Sequence, residues 1–252
     1  TRTIDAGGGG DYTSFTQAEA DVSNIGTSAD LVANDEAIVF EAVAGTYSEN
    51  LTINSSSPGP ALTTDATRNV TYKAAAGSEH GGVLGAGVSV EMATFGNISD
   101  SFTRLEGISF TTTASYTLYT NGTMVGINIK DCVVDSGPSA QANVISMTAG
   151  SAAHPVVVEN CVATNPAKAM SCGGADKHIR FINCTSVGGF SLTRGAASTI
   201  EITNCLSPAA CGIYSSGGTI SGSGNVTLGG LNTVPGARAL DQDWTFSTNP
   251  AD

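Results

Sequence analysis

The chain has 252 residues, with 10 basic and 22 acidic side chains, a formal net charge of −12, and 13% charged residues against 31 glycines. Phosphate-backbone binding and anionic membrane surfaces both call for clustered Lys and Arg, so nucleic acid and membrane are poor partners for this composition. No apolar run approaches the length of about 18 residues that spans a bilayer, and the acidity is read as a solubility device.

Residues 1–11, TRTIDAGGGGD, read as an extended start and a four-glycine run. No Gly-Lys-Ser/Thr follows, so a flexible turn is expected rather than a phosphate cradle. Residues 13–24, TSFTQAEADVSN, carry the one helix that the pattern predicts. Ser14 and Gln17 have capping-box spacing, and Phe15, Ala18 and Val22 share a face. Ala37–Val43 is the first expected buried strand, Ala44–Asn50 a turn, and Leu51–Ile53 resumes alternation. A loop with two prolines covers 54–67, and strands return at Asn69–Lys73 and Val83–Val90, with glycines between and among them.

From Phe102 the pattern becomes regular. One phrase recurs four times: Ile127-Asn-Ile-Lys-Asp-Cys132, Val156-Val-Val-Glu-Asn-Cys161, Ile179-Arg-Phe-Ile-Asn-Cys184 and Ile200-Glu-Ile-Thr-Asn-Cys205. A weaker copy lies at Thr103–Ile108. The cysteines are 29, 23 and 21 residues apart. Such spacings mark stacked coils, and the alternation within each phrase is that of a strand rather than a helix. The predicted fold is all-β: one right-handed parallel β-helix of roughly eight coils, ~35–40 Å long at ~4.8 Å per coil.

Stacking predicts ladders. Ile127/Val156/Ile179/Ile200 and Ile129/Val158/Phe181/Ile202 run inside, followed by Cys132, Cys161, Cys184 and Cys205 as buried thiols. Asp131, Asn160, Asn183 and Asn204 run along the turn as bonded amides. Outside, Lys130 lies beside Glu159 and Arg180 beside Glu201. Parallel thiols in one column lack the converging geometry of a disulfide. No C-x-x-C pair suggests zinc, Cys172 and Cys211 lie outside the column, and no cofactor is expected. Seven N-x-S/T sequons, Asn183 among them, are read as compositional.

Second strands of the coils are expected at Tyr116–Tyr119, Asn143–Met147, Phe190–Leu192 and Gly212–Tyr214, with Asn225–Leu228 as the last coil. The pattern then lapses. Trp244 and Phe246 are expected to cover the open end or to pack on a neighbouring subunit, ahead of a tail at 247–252. The chain reads as a single domain over 1–252: cap over 1–36, coils over 37–234, C-terminal cap and tail over 235–252.

The stretches DYTSFTQAEADV, DEAIVFEAVAGTYSENLTI and NVTYKAAAG resemble the opening of pectin-lyase-like parallel β-helix proteins, which share a G-x-Y-x-E-N turn. LTTDATRNVTYKAAAGSEHGG further resembles β-helix proteins of tailed-phage virions and related bacterial chains. The likeness covers residues 1–85 by motif and the remainder by repeat. It implies a non-enzymatic structural role in a virion, as a capsid decoration or cement protein made in the host cytoplasm. The implied partner is the major capsid protein or another virion chain, and a homotrimer of side-by-side rods is compatible with it. The opening Thr1 is of the kind exposed when an initiator Met is trimmed, which agrees with synthesis without export. The resemblance leaves an alternative open, a secreted polysaccharide-active enzyme or carbohydrate-binding protein of the pectin-lyase-like class. A third is an adhesin-type solenoid.

Residue by residue, the enzymatic chemistry of that class is hard to place. The esterases of the class use paired aspartates with Arg and Gln, and their D-F-I-F-G and G-R-P-W stretches are absent here. The lyases gather carboxylates around calcium, whereas Lys130, Glu159, Arg180 and Glu201 alternate in sign. Asp131 belongs to the turn ladder and Asp135 is expected to begin a loop, so they do not read as a hydrolytic pair. His80, His154 and His178 lack a nucleophile partner. Aromatic residues are 6%, too few to suggest a sugar-stacking groove, although Tyr116, Tyr119 and Tyr214 could cluster.

Overall fold

A computed structural model describes residues 1–54, 61–113, 116–120, 122–136, 143–167, 169–173, 176–193, 197–209, 212–214, 218–227 and 238–239, with backbone alone at 143–144, 169, 193, 212–214, 227 and 238–239. Among the described residues, three parallel sheets of nine, nine and seven strands wind into a right-handed β-helix. The chain passes from first to second to third sheet and back again. The first sheet runs from Arg2–Ile4 and Ile38–Ala42 through Asn128–Lys130, Val156–Glu159, His178–Ile182 and Thr199–Thr203 to Thr219–Ser223. The second begins at Gly45–Ser48 and the third at Thr52–Ile53. Among the described residues this makes seven coils of three strands and an eighth of two, Thr219–Ser223 and Val226–Thr227.

The alternation of the repeated phrase sets the register. Val156, Ile179 and Ile200 are successive Cα partners, as are Ile129, Val158, Phe181 and Ile202, and all are at most 1% exposed. Phe181 adds an edge-to-face contact with Phe190 at 5.4 Å between centroids. Each coil thus buries its apolar side chains against the coil above and below it.

The sharp corner between first and second sheets explains the fifth position of the phrase. Asp131, Asn160, Asn183 and Asn204 all have φ of 52–53°. Among non-glycine residues this left-handed conformation favours Asn and Asp. The corner amides stay paired along the axis: Asp131, Asn160, Asn183 and Asn204 donate to the carbonyls of Glu159, Ile182, Thr203 and Ser223 at 2.8–3.0 Å. The side chains form a second ladder, with Asn160 Nδ2 donating to Asp131 Oδ1 at 3.0 Å and Asn183 Nδ2 to Asn160 Oδ1 at 3.1 Å. Glycine takes the column at either end. Gly107 has φ 71° and Gly224 φ 69°, and a Cβ on Gly224 would lie 2.1 Å from Asn204 Oδ1.

The next residue of each phrase turns inward. Cys132, Cys161, Cys184 and Cys205 are buried free thiols. They donate to the carbonyls of Leu105, Ile129, Val158 and Phe181 in the preceding coil at 3.3–3.7 Å. Burial pushes the Cys161 thiol well up; its bond with Cys205, together with burial, does the same for Cys184. Cys172 is a further buried cysteine, on the third-sheet strand Ala169–Cys172.

The N-terminal cap is built from the helix Phe15–Ile25, with Phe15, Ala18 and Val22 buried. Ser14 Oγ accepts from Gln17 N–H, but Gln17 Oε1 turns to Thr13 N–H at 2.9 Å, so the reciprocal half of the box is displaced by one residue. The Glu49 carboxylate accepts from Phe15 N–H and Thr16 N–H, placing negative charge where the helix dipole favours it. Phe15 packs edge-on against Tyr47, and Phe40 stacks on Tyr72.

Several expectations are corrected. A second helix, Leu31–Asn34, follows the first, capped by Asp30, whose carboxylate accepts from Ala33 N–H. The extended start is a strand pairing with Ile38–Ala42, so it precedes the expected first strand in the sheet. The glycine run wraps its own anion: Gly7 N–H and Gly9 N–H both donate to the Asp5 carboxylate. Val83–Val90 is a glycine-turned loop up to residue 87, and the strand there is Val88–Met92. Coils have three strands rather than two, because a further strand follows each corner. Asp135 accordingly lies in the strand Val133–Ser136 instead of opening a loop.

Candidate functional site

The outer face of the first sheet carries two columns of side chains. In one, Glu41, Lys73, Glu106, Lys130 and Glu159 are successive register partners, so charge alternates over five coils. Lys73 pairs with Glu41 at 2.9 Å; Lys130 and Glu159 are neighbours without an ion pair inside 4 Å. In the other column Arg180 donates to Glu201 at 2.7 Å. That bond raises the guanidinium pKa further and holds the carboxylate below its usual range. Both partners are substantially exposed, so the pair is worth at most about 1 kcal/mol and serves register more than stability.

Where the charged column meets the corner, the loop carrying Glu79 and His80 walls a cleft of about 480 Å³, lined by Glu41, Lys73, Glu79, His80, Glu106 and Asp131. Four carboxylates, a lysine and a histidine share this hollow. Hydrolysis by paired carboxylates needs a proton donor and a base free to move. His80 is not free: Nδ1 accepts from Gly82 N–H at 2.8 Å, which leaves Nε2 to donate to the Asp131 carbonyl at 2.6 Å. Lys73 is tied to Glu41. The His80 contacts brace the loop against the coil. Among the described residues, no group of three or more His, Cys, Asp or Glu side chains is placed to hold a metal ion.

Glu19, on the capping helix, is pushed up to about 7, chiefly by burial and against the pull of its bond from the Tyr72 hydroxyl. Its other oxygen accepts from Asn54 N–H at 2.7 Å. A half-buried carboxyl with both oxygens engaged, over the hydroxyl of a fully buried tyrosine, is a closing group for the core rather than a catalytic acid.

The third sheet presents a different face. One register column runs Thr52, Asn97, Tyr119, Ser146, Ser171 and Ser191, with no charged residue; Ser146 and Ser171 in it are buried. On this neutral surface Phe95, Tyr116 and Tyr119 meet, with ring centroids 5.7–6.4 Å apart. Phe95 is 42% exposed; among the described large apolar side chains Val83, in the glycine-turned loop, is the other exposed one. Asn97 beside them keeps a buried amide oxygen without a partner. A partly exposed aromatic cluster beside small hydroxyl and amide groups is a surface suited to a flat, amphipathic ligand.

Tyr116 and Tyr119 therefore come together, whereas the side chain of Tyr214 lies outside the described residues. Phe95 precedes the strand Gly96–Ile98 and carries no periodic signal of its own. Among the other expected site residues, Cys132, Cys161, Cys184 and Cys205 sit in the core and Asp131, Asn160, Asn183 and Asn204 at the corner. Cys211, Trp244, Phe246 and the tail at 247–252 lie outside the described residues.

No protein-family model and no curated protein matches the chain. Among solved structures, the crystal structure of the pectin methylesterase from Aspergillus niger superposes with a TM-score of 0.53 at 14% identity, over 96% of this chain and 80% of that one. At that identity the likeness is one of fold, a pectin-lyase-like parallel β-helix.

Proposed function

We propose that this chain is a carbohydrate-binding β-helix that holds a polysaccharide against its third sheet and performs no covalent chemistry on it. The observation that carries this reading is the trio of exposed Phe95 and half-buried Tyr116 and Tyr119, beside a register column without charged residues. A sugar ring offers C–H groups to an aromatic face and hydroxyls at its rim, and Asn97 and Thr52 lie along the same column to meet them. A fold shared with a pectin methylesterase supports a carbohydrate as the ligand. Non-catalytic binding is supported by the tied Lys73 and His80, and by a third-sheet register column without acid or base.

The test is affinity electrophoresis against polygalacturonate, methyl-esterified pectin and neutral β-glucans. Saturable retardation by at least one is expected. Tyr119→Ala should weaken it about tenfold, the scale of one lost aromatic contact of about 1–1.5 kcal/mol. Retardation that survives both Tyr119→Ala and Phe95→Ala would remove the trio from the account.

A second reading, a capsid decoration or cement protein of a tailed-phage virion, is favoured by the stretch Leu62–Gly82 and by an outward stripe on the second sheet. There Val162, Leu206 and Val226, all half-buried, follow one another in register, broken by Thr185, while Val133 at the head of the column is covered. Such a stripe suits packing against a capsid chain or a second copy of this one. Mass spectrometry of purified particles and light scattering of the isolated protein distinguish the two readings.

A further inference from the structure

The first sheet holds a second hollow, of about 180 Å³, on the opposite margin from the charged corner. Arg104 points a cation into it. In a chain of net charge −12, Arg104 makes no ion pair within 4 Å with any described residue. Its Nη2 donates to the Ala66 carbonyl at 3.0 Å, which fixes the guanidinium and leaves other N–H groups of its fork unused. Its register neighbours Thr71 and Asn128 are neutral, and Glu106, two residues along the strand, lies between Lys73 and Lys130.

Asn128 supplies the second element: its amide oxygen is buried without a hydrogen-bond partner and the residue lines the hollow. An acceptor left bare in this way is a standing cost to the fold until a donor reaches it. The third element is Phe102, at φ 54°, a conformation that bulky side chains rarely hold. It is locked there by its N–H bond to the Val125 carbonyl. Its ring lies so close over Gly126 that a Cβ there would be 2.4 Å away, and it meets the His154 ring edge-on at 5.1 Å. The backbone is held in an unfavourable shape, and the result is an aromatic wall.

We infer that the hollow over Arg104 binds a small carboxylate bearing a nearby hydroxyl: the carboxylate pairs with the Arg104 guanidinium, the hydroxyl donates to Asn128 Oδ1, and the carbon skeleton rests on Phe102. The fork of an arginine matches a carboxylate in two-point geometry, and the amide oxygen selects for a donor beside it. The site is on a different sheet from the aromatic trio and stands independently of it.

Titration of the full chain with glucuronate, acetate and glucose, followed by amide chemical shifts, tests this. Glucuronate carries both groups, acetate the charge alone, and glucose the hydroxyls alone. Saturable shifts around Asn128 are expected with glucuronate, at least tenfold weaker binding with acetate, and none with glucose. Asn128→Asp, which keeps the shape and sets a like charge against the ligand, should abolish binding while the remaining spectrum is unchanged. Arg104→Met should do the same, and Tyr119→Ala should leave glucuronate binding as it was. Equal affinity for acetate and glucuronate, or glucuronate binding that survives Arg104→Met and Asn128→Asp, would overturn the inference.

Discussion

The corner column offers a substitution whose cost separates into parts. Asn160 holds φ 52°, donates its backbone N–H to Ile182 and makes one side-chain bond to each neighbouring coil. Asn160→Gly keeps the left-handed corner without steric cost and loses the two exposed amide bonds, about 0.5 kcal/mol each at the low end of the usual range. The added freedom of the unfolded chain contributes about 0.5–1 kcal/mol more, for a total near 1.5–2 kcal/mol. Asn160→Ala loses the same bonds and takes on about 1–2 kcal/mol of left-handed strain, for a total near 2–3 kcal/mol. At about 2–4 °C per kcal/mol for a domain of this size, alanine should lower the melting temperature by roughly 4–12 °C, with glycine between it and the parent. Circular dichroism melts of the three proteins give the order directly. Since a solenoid is free to unfold in segments, the order of midpoints is a sounder readout than one fitted free energy. Alanine as stable as glycine would mean that the corner is not imposed on this residue, and the reasoning about the column would fail.

Other consequences are as definite. Phe181→Ala empties a fully buried position and should cost about 3–5 kcal/mol, seen as a large drop in the denaturant midpoint; a loss below about 1 kcal/mol would contradict a packed interior there. The Glu19 carboxyl, at about 7 in the fold and 4.5 unfolded, favours the folded state fully below pH 4.5 and loses that contribution as pH rises to 7. The difference in melting temperature between the parent and Glu19→Gln should therefore move against the parent across that interval and stay flat above it; a constant difference would refute the assignment. Cys132, Cys161, Cys172, Cys184 and Cys205 should resist a soluble thiol reagent in the native protein and all react after unfolding, as counted by mass.

How much of this was legible depended on where the coil repeats itself. From Ile127 to Cys205 each coil spells out its inward pair, corner and thiol, so fold and register could be read residue by residue. Earlier coils lack the mark. At the Asn-Cys position Gly107-Ile108 stands in for it, which hid the extension of the charge ladder through Glu41, Lys73 and Glu106. The strands after the corner escaped notice because Val162–Ala163, Thr185–Ser186 and Leu206–Ser207 have two residues each, too few for a period to show. Leu31–Asn34 is a single turn and equally without period. Both hollows and the aromatic trio are assembled from different coils across irregular loops. Phe95 and Tyr116, or Phe102 and His154, share no spacing that sequence alone would connect.

The proposed role is that this coil grips a polysaccharide and leaves it intact. The most direct measurement is prolonged incubation of the protein with methyl-esterified pectin and with polygalacturonate, followed by mass spectrometry of the sugar and assay of released methanol. The account predicts chains of unchanged length and esterification from a sample in which binding is demonstrable. Methanol release, or shortened chains with unsaturated ends, abolished by changing Lys130 or Arg180, would contradict it.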